Sequence, residues 1–235
     1  MIRNIPKNPV LAAIDKDNLD EADSIVSAIK ASVGGIKLGK EFFTSFGPQG
    51  ILKIAGTDTP LFLDLKFHDI PNTVAGAVRS ASKVIAPNMM TIHASGGPAM
   101  IRAAADAAAE FDHSPWILAV TVLTSMDDAD LAATGVNSTA SDQVLRLADL
   151  AQKNGADGVI CSPLEIKTLR AEFGPDFKLV VPGIRPAGSD HGDQKRVKTP
   201  AEALMDGADY LVIGRPISAL ANPAASVTEI LESLG

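Results

Sequence analysis

The chain has 235 residues, a net charge of −7 and only 4% aromatic residues. That balance argues against nucleic-acid binding, which draws on a basic face or on stacking aromatics, but an anionic small molecule held by a few local Arg and Lys stays compatible. Cys161 is the only cysteine, so no intrachain disulfide can form, which fits a reducing compartment.

The stretch from Met1 to Pro9 carries no apolar segment of the kind a signal peptide needs. The longest apolar stretches, such as Trp116 to Leu123, are strand-sized and fall short of the roughly 20 residues of a membrane span. The sequence therefore predicts a cytosolic, soluble protein with no membrane partner.

Along the chain, short apolar runs recur at Val10–Ile14, Gly35–Leu38, Leu61–Phe67, Met89–His93, Ile117–Leu123, Gly158–Cys161, Leu179–Ile184 and Tyr210–Ile213. Each is followed by an Ala-rich or amphipathic stretch: Leu19–Ser32, Phe42–Ala55, Thr73–Val84, Ala99–Phe111, Ser141–Lys153, Pro163–Phe173, Pro200–Met205 and Pro223–Leu234. The short runs read as buried strands and the longer stretches as helices. Eight strand signals alternating with eight helix signals predict a parallel sheet clothed by helices, and eight is the number that closes a (β/α)8 TIM barrel. A doubly wound open sheet is the alternative, but it usually carries fewer strands in this length. No linker, charge block, low-complexity segment or further repeat interrupts the alternation, so residues 1–235 are expected to form one barrel domain.

In a barrel, functional residues belong at the C-terminal ends of the strands. Polar residues gather there: Asp15 after strand 1, Lys37 within strand 2, Asp64 and Lys66 in strand 3, and His93 at the end of strand 4. Thr124 follows strand 5, Arg185 follows strand 7, and Gly214-Arg215 follow strand 8. The N-terminal strand ends show no comparable set, and that asymmetry points to an enzyme.

The densest signal is the run from Leu61 to Thr73. Leu61, Leu63, Leu65 and Phe67 alternate with Asp64 and Lys66, which is the period of a strand. Both faces of a barrel strand are enclosed, and an unpaired charge on such a face is very costly. Lys37, between Ile36 and Leu38, faces the interior by the same alternation. Adjacent strands lie about 4.8 Å apart, so Lys37 can approach Asp64, and Asp64 can approach Lys66. A third charge of the run, Asp69, follows just past the strand end. The plainer reading is a stabilising ion-pair ladder, but buried ladders stabilise little on balance. A device for handling charge that develops on a substrate fits the pattern better.

Phosphate binding is the second signal. Barrels often hold phosphate with the loops after strands 7 and 8 and the N-terminus of a short helix. Strand 7 runs into Pro182-Gly-Ile-Arg-Pro186, and strand 8 into Gly214-Arg-Pro-Ile217, with Pro216 placed to start a helix. Arg185 and Arg215 at those two ends suit bidentate grip of a phosphate dianion. The stretch Ala187–Arg196 is polar, contains glycine and is long for such a loop, as a lid over the phosphate would be.

Other residues carry less. His68 and His93 suit structural or hydrogen-bonding roles at least as well as catalysis. The acidic run Asp127–Asp130 reads as a solvated loop or a helix start, Cys161 as a small buried residue, and Trp116 as packing in the barrel shell. No His/Cys cluster with metal spacing, Walker loop or dinucleotide fingerprint is present.

The run Asp64-Leu-Lys-Phe-His-Asp-Ile-Pro-Asn-Thr73 resembles the signature of the orotidine 5′-phosphate decarboxylase family, in its bacterial, monofunctional form. The resemblance spans the chain through Ala13–Asp15, Lys37–Gly39, His93–Gly97, Leu123–Ser125, Pro182–Pro186, Asp193–Arg196 and Ile213–Arg215. It implies a barrel homodimer that converts orotidine 5′-monophosphate to UMP and carbon dioxide, the last step of de novo UMP synthesis, with no metal or organic cofactor. It also implies roles for individual residues. Asp15 and Lys37 would bind ribose hydroxyls, with Lys37 also in the charge row. Asp64 would lie near the substrate carboxylate, and Lys66 would protonate carbon 6. Asp69 and Thr73 would reach into the partner subunit's site. Thr124 would bind the pyrimidine, while Arg185, Gln194, Gly214 and Arg215 would hold the phosphate.

Two other readings compete. Sugar-phosphate decarboxylases and aldolases of the same superfamily share the Asp-x-Lys-x-x-Asp run but bind magnesium through an acid on strand 2. Here that position resembles Lys37, a cation that would repel the metal. A barrel that only binds a nucleotide or sugar phosphate would keep the arginines and lose Lys66 or Asp69, and both sets are present.

Overall fold

The computed structural model describes residues 8–56, 58–186 and 197–234. Eight parallel strands close into a barrel in chain order: β1 (Val10–Ala13), β2 (Gly35–Gly39), β3 (Leu61–Phe67), β4 (Met89–His93), β5 (Trp116–Val120), β6 (Gly158–Ile160), β7 (Lys178–Val181) and β8 (Tyr210–Ile213). Closure comes from β8 pairing with β1, where Val10 faces Leu211, Leu11 faces Val212 and Ala12 faces Ile213. Strand alternation divides each strand between two apolar layers. Leu11, Phe62, Met89, Leu118 and Val180 fill the interior. Their chain neighbours Val10, Leu63, Met90, Ile117 and Leu179 pack outward against the helices. Burial on both faces is why the strands read as continuous apolar runs.

The outer layer holds α1 (Leu19–Ile29), α2 (Lys40–Ala55), α3 (Pro71–Val84), α4 (Pro98–Ala109), α5 (Asp128–Ala133), α6 (Ala140–Lys153), α7 (Ile166–Phe173), α8 (Pro200–Met205), α9 (Arg215–Ser218) and α10 (Pro223–Glu232). Their starts are written locally. The Asn18 side chain accepts the Glu21 amide at 3.0 Å to open α1, and Thr199 and Glu202 cap α8 reciprocally. The acidic run is a helix start: Asp127 and Asp130 form the same reciprocal cap at α5. The α2 segment is broken at Gly47, whose φ of 60° suits glycine, and Pro48 opens its second half.

The N-terminal rim of the barrel is closed by side chains that bond the backbone. Asn88, just before β4, accepts the amide of Leu61 in β3 at 2.8 Å. Asp157, before β6, accepts that of Ile117 in β5 at 2.9 Å. Asp209, before β8, accepts that of Leu179 in β7 at 2.8 Å and pairs with Arg170 at 2.5 Å. These partners belong to stability rather than chemistry, and they set where the odd strands begin.

Several element boundaries shift from the sequence expectation, and those of β5 and β7 have a clear physical reason. β5 starts at Trp116, whose amide is accepted by Asn88 O at 2.9 Å, and it ends at Val120 rather than Leu123. Trp116 therefore lies inside the barrel rather than in its shell, edge-on to Tyr210 with ring centroids 5.8 Å apart. Burial, with the nearby Asp209 charge, pushes the Tyr210 hydroxyl up to about 12. β7 ends at Val181 because Pro182 lacks an amide and Gly183 turns with φ of 79°; Ile184 then makes a separate bridge to Lys198.

Candidate active site

At the C-terminal ends of the strands lies a cavity of about 540 Å³. Its floor is the top of the interior core, with Phe62, Val120, Ile160 and Val212. The arc from β1 to β3 presents Asp15, Lys37, Asp64 and Lys66. The adjoining arc beyond β7 and β8 presents Arg185, Gly214 and Arg215, and Thr124 beyond β5 lines the cavity as well.

The first arc is an alternating charge row. Lys37 Nζ lies 3.0 Å from Asp15 Oδ1 and 3.7 Å from Asp64 Oδ2. Lys66 Nζ donates to both Asp64 oxygens, at 2.8 Å to Oδ1 and 2.7 Å to Oδ2. Lys37 and Asp64 are only 8% and 9% exposed, so these charges interact with little screening by water. Burial is the largest single influence on Asp64 and by itself raises its carboxyl. The Lys37 and Lys66 charges, with hydrogen bonds from Lys66 and Thr91, outweigh it and hold the carboxyl below its ordinary value. Gly39 leaves room for the row. A Cβ there would lie 3.0 Å from Lys37 Nζ and 3.4 Å from Asp15 Oδ1.

Lys66 reaches Asp64 through a distortion of β3. Leu63 pairs with Met90 and Phe67 with Ile92, so four steps along β3 match two along β4. The excess makes a bulge, a device that re-aims side chains. Within it Lys66 has φ of 52°, in the left-handed region that non-glycine residues adopt at a cost. Its amide turns to β4, where Thr91 Oγ1 accepts it at 2.9 Å, and the same hydroxyl donates to Asp64 Oδ1 at 2.9 Å. Thr91 was not among the sequence candidates. The available signal was its alternation with Met90 and Ile92, which turns it inward beside strand 3.

The two histidines sit beside this row without lining the cavity. The exposed His68 and half-buried His93 rings lie 5.3 Å apart. Burial first, then the charges of His68, Lys40 and Lys66, push the His93 imidazole down to about 4 against the opposing pull of Asp64. His93 is therefore neutral near pH 7, which suits a hydrogen-bonding role.

Of the sequence candidates, the structure gathers Asp15, Lys37, Asp64, Lys66, Thr124, Arg185, Gly214 and Arg215 around one cavity. Arg185 is buried and anchored by its chain neighbours: its amide donates to Lys198 O at 3.0 Å and its Nη1 to Ile184 O at 2.9 Å. Asp69 and Thr73 are exposed on the outer side, and the Asp69 carboxylate accepts the Ile70 amide at 2.6 Å. Gln194 and the suggested lid, 187–196, lie outside the described residues. Among the described residues no group of three or more His, Cys, Asp or Glu is arranged to hold a metal ion, and no helix is long and apolar enough to cross a membrane.

Residues 8–230 match the model of the orotidine 5′-phosphate decarboxylase / HUMPS family. The chain belongs to this family. An orotidine 5′-phosphate decarboxylase of Idiomarina loihiensis is 52% identical over 231 residues, covering 98% of this chain and 99% of that protein. One from Paramagnetospirillum magneticum is 53% identical over 233 residues, covering 97% and 99%. The crystal structure of the orotidine 5′-phosphate decarboxylase from Lactobacillus acidophilus superposes with a TM-score of 0.85 at 38% identity, covering 97% of this chain and 100% of that one. The family match thus runs from the first strand of the barrel into its last helix.

Proposed function

We propose that this chain is a carboxy-lyase that converts orotidine 5′-monophosphate to UMP and carbon dioxide, closing de novo UMP synthesis, as a cytosolic homodimer without metal or organic cofactor. Its 235 residues act as one barrel domain. The observation that carries the reading is the Lys37–Asp64–Lys66 row on one arc of a cavity whose adjoining arc carries Arg185 and Arg215. The similarity to proteins named orotidine 5′-phosphate decarboxylase, at 52% and 53% identity over nearly the full chain, supports this substrate.

Loss of carbon dioxide from carbon 6 leaves an electron pair on that carbon with no neighbouring carbonyl placed to delocalise it. The Lys66 ammonium stabilises that charge as it forms, and one of its N–H protons then passes to carbon 6. The amine left behind regains a proton from solvent. Repulsion between Asp64 and the substrate carboxylate contributes less. At ~4 Å and an effective dielectric near 20 it amounts to about 4 kcal/mol, whereas demanding enzymes supply about 20 kcal/mol or more. Asp64 acts chiefly by holding Lys66 in place. Lys37 pairs with Asp15 and Asp64 at the strand-2 position where a metal-binding acid would otherwise stand, and its cation disfavours a metal there.

Asp15 and Lys37 bind the ribose hydroxyls and Thr124 the pyrimidine. Arg185, Gln194, Gly214 and Arg215 hold the phosphate, whose binding energy helps order the site for reaction. Asp69 and Thr73 serve the partner subunit's site. Their exposure beside Ile70, itself 67% exposed, supports an outward role at a subunit interface.

The direct test is the fall in ultraviolet absorbance when the protein is mixed with orotidine 5′-monophosphate in excess chelator. Turnover is expected; activity that appears only with magnesium, or only with a ribulose-type sugar phosphate, would overturn the assignment. Site sharing is tested by co-refolding Lys66→Ala with Asp69→Ala chains. Each heterodimer holds one site with both residues intact, so activity should reappear. Verified heterodimers as inactive as their parents would place Asp69 in its own chain's site.

A further inference from the structure

We propose that Thr91 is a positioning residue for decarboxylation, its hydroxyl setting the Asp64 carboxylate and the Lys66 backbone in one arrangement. The inference rests on the reading of Lys66 as proton donor. Thr91 lies in β4 with no exposed surface. A hydroxyl has one proton to donate and lone pairs to accept, and here it donates to Asp64 Oδ1 and accepts from the Lys66 amide, each at 2.9 Å. Two residues of β3 thereby share one fixed point on the neighbouring strand.

Both contacts bear on the proton donor. The bulge withdraws the Lys66 amide from the regular β3–β4 pairing, and Thr91 supplies its acceptor. A buried amide without an acceptor would favour another backbone conformation, and Lys66 at φ 52° has reason to leave the left-handed region once that bond is lost. On the other side, Asp64 Oδ1 receives Thr91 and Lys66 together, while Oδ2 faces Lys66 at 2.7 Å and Lys37 at 3.7 Å. Without the hydroxyl the carboxylate can turn about its χ2 axis and carry the Lys66 ammonium with it. Thr91 does not line the cavity, so it acts on the reaction through these two residues and not through the ligand.

The test is Thr91→Val, which keeps the shape of the side chain and removes the hydroxyl, with Thr91→Ser, which keeps the hydroxyl. A displacement of the reacting group of order 1 Å costs about 100-fold, so kcat of Thr91→Val should fall by about 10- to 100-fold. Because ligand contacts are untouched, KM and the affinity for UMP should stay within about twofold. Thr91→Ser should recover most of kcat. Should Thr91→Val fail to fold, Thr91→Cys, with a much weaker donor and acceptor in a similar volume, takes its place. Unchanged kcat in the hydroxyl-free variant, a serine variant equally impaired, or a loss confined to KM would each overturn the positioning role. Wild-type protein that did not decarboxylate the nucleotide would overturn the underlying reading as well.

Discussion

Replacing Lys66 by Ala tests the charge row in two independent ways. The change removes the ammonium that bonds both oxygens of Asp64 and leaves that carboxylate with Lys37 Nζ at 3.7 Å and the Thr91 hydroxyl at 2.9 Å. Removing one partner of a fully buried ion pair costs about 3–5 kcal/mol. Asp64 keeps a second cation and a hydroxyl, and the Lys66 side chain is 24% exposed. The expected loss of stability is therefore about 1–3 kcal/mol, the range for stranding one hydrogen-bonded polar partner. The catalytic loss is larger. A general acid contributes about 10²–10⁴ and a preorganised charge at the developing carbanion about 10²–10³, so kcat should fall by about 10⁴-fold or more. Adding Asp64→Asn removes the stranded charge, so the double variant should regain stability while staying inactive. Trp116, the only tryptophan and almost fully buried, reports urea unfolding by fluorescence, and UMP binding verifies the cavity. The pH response has a definite sign. A depressed Asp64 carboxyl stabilises the fold above its unfolded value, and that contribution is lost as pH falls through the folded value. Without Lys66 the folded value rises, so acid destabilisation should begin at higher pH. Turnover by Lys66→Ala within about tenfold of wild type would refute the catalytic argument. A single variant as stable as the double would refute the electrostatic one.

Arg215→Ala should weaken binding of the nucleotide far more than that of the nucleoside without phosphate, because the lost contact is with the dianion; calorimetry that finds equal losses would refute the phosphate role. His93 is neutral in the folded protein down to about 4, against 6.5 for an ordinary histidine, so the unfolded chain binds the extra proton across that interval. Stability should therefore fall as pH drops from 6.5 to about 4, and His93→Gln should flatten this slope. A His93 ring resonance titrating near 6.5 would refute the burial argument.

Much of the architecture is legible in the chain because each barrel strand is enclosed on both faces and each helix on one. Lys37 between Ile36 and Leu38, and Asp64 between Leu63 and Leu65, show their inward direction by alternation alone. The clustering of polar residues at strand C-terminal ends likewise marks the reacting face. Trp116 is different. Its place inside the barrel follows from β5 beginning one residue before the expected start, where Asn88 and Asp157 hold its first amides from 28 and 40 residues away. Asp127–Asp130 is compatible with a loop or a helix cap until the backbone turns and both reciprocal bonds form.

By itself, then, the sequence determined the strand and helix periods, the inward or outward sense of the charged side chains, and the resemblance that points to the reaction. Those properties depend on backbone geometry over a few neighbouring residues and on which residue types occupy them. Only the tertiary structure decided that β8 closes on β1, bringing Arg215 and Asp15 to one cavity. It also decided the β3 bulge, the left-handed Lys66, and the hydroxyl of Thr91 that ties Lys66 to Asp64. The physical reason is that these features depend on interstrand register and shared burial, which arise only when residues distant in the chain pack together.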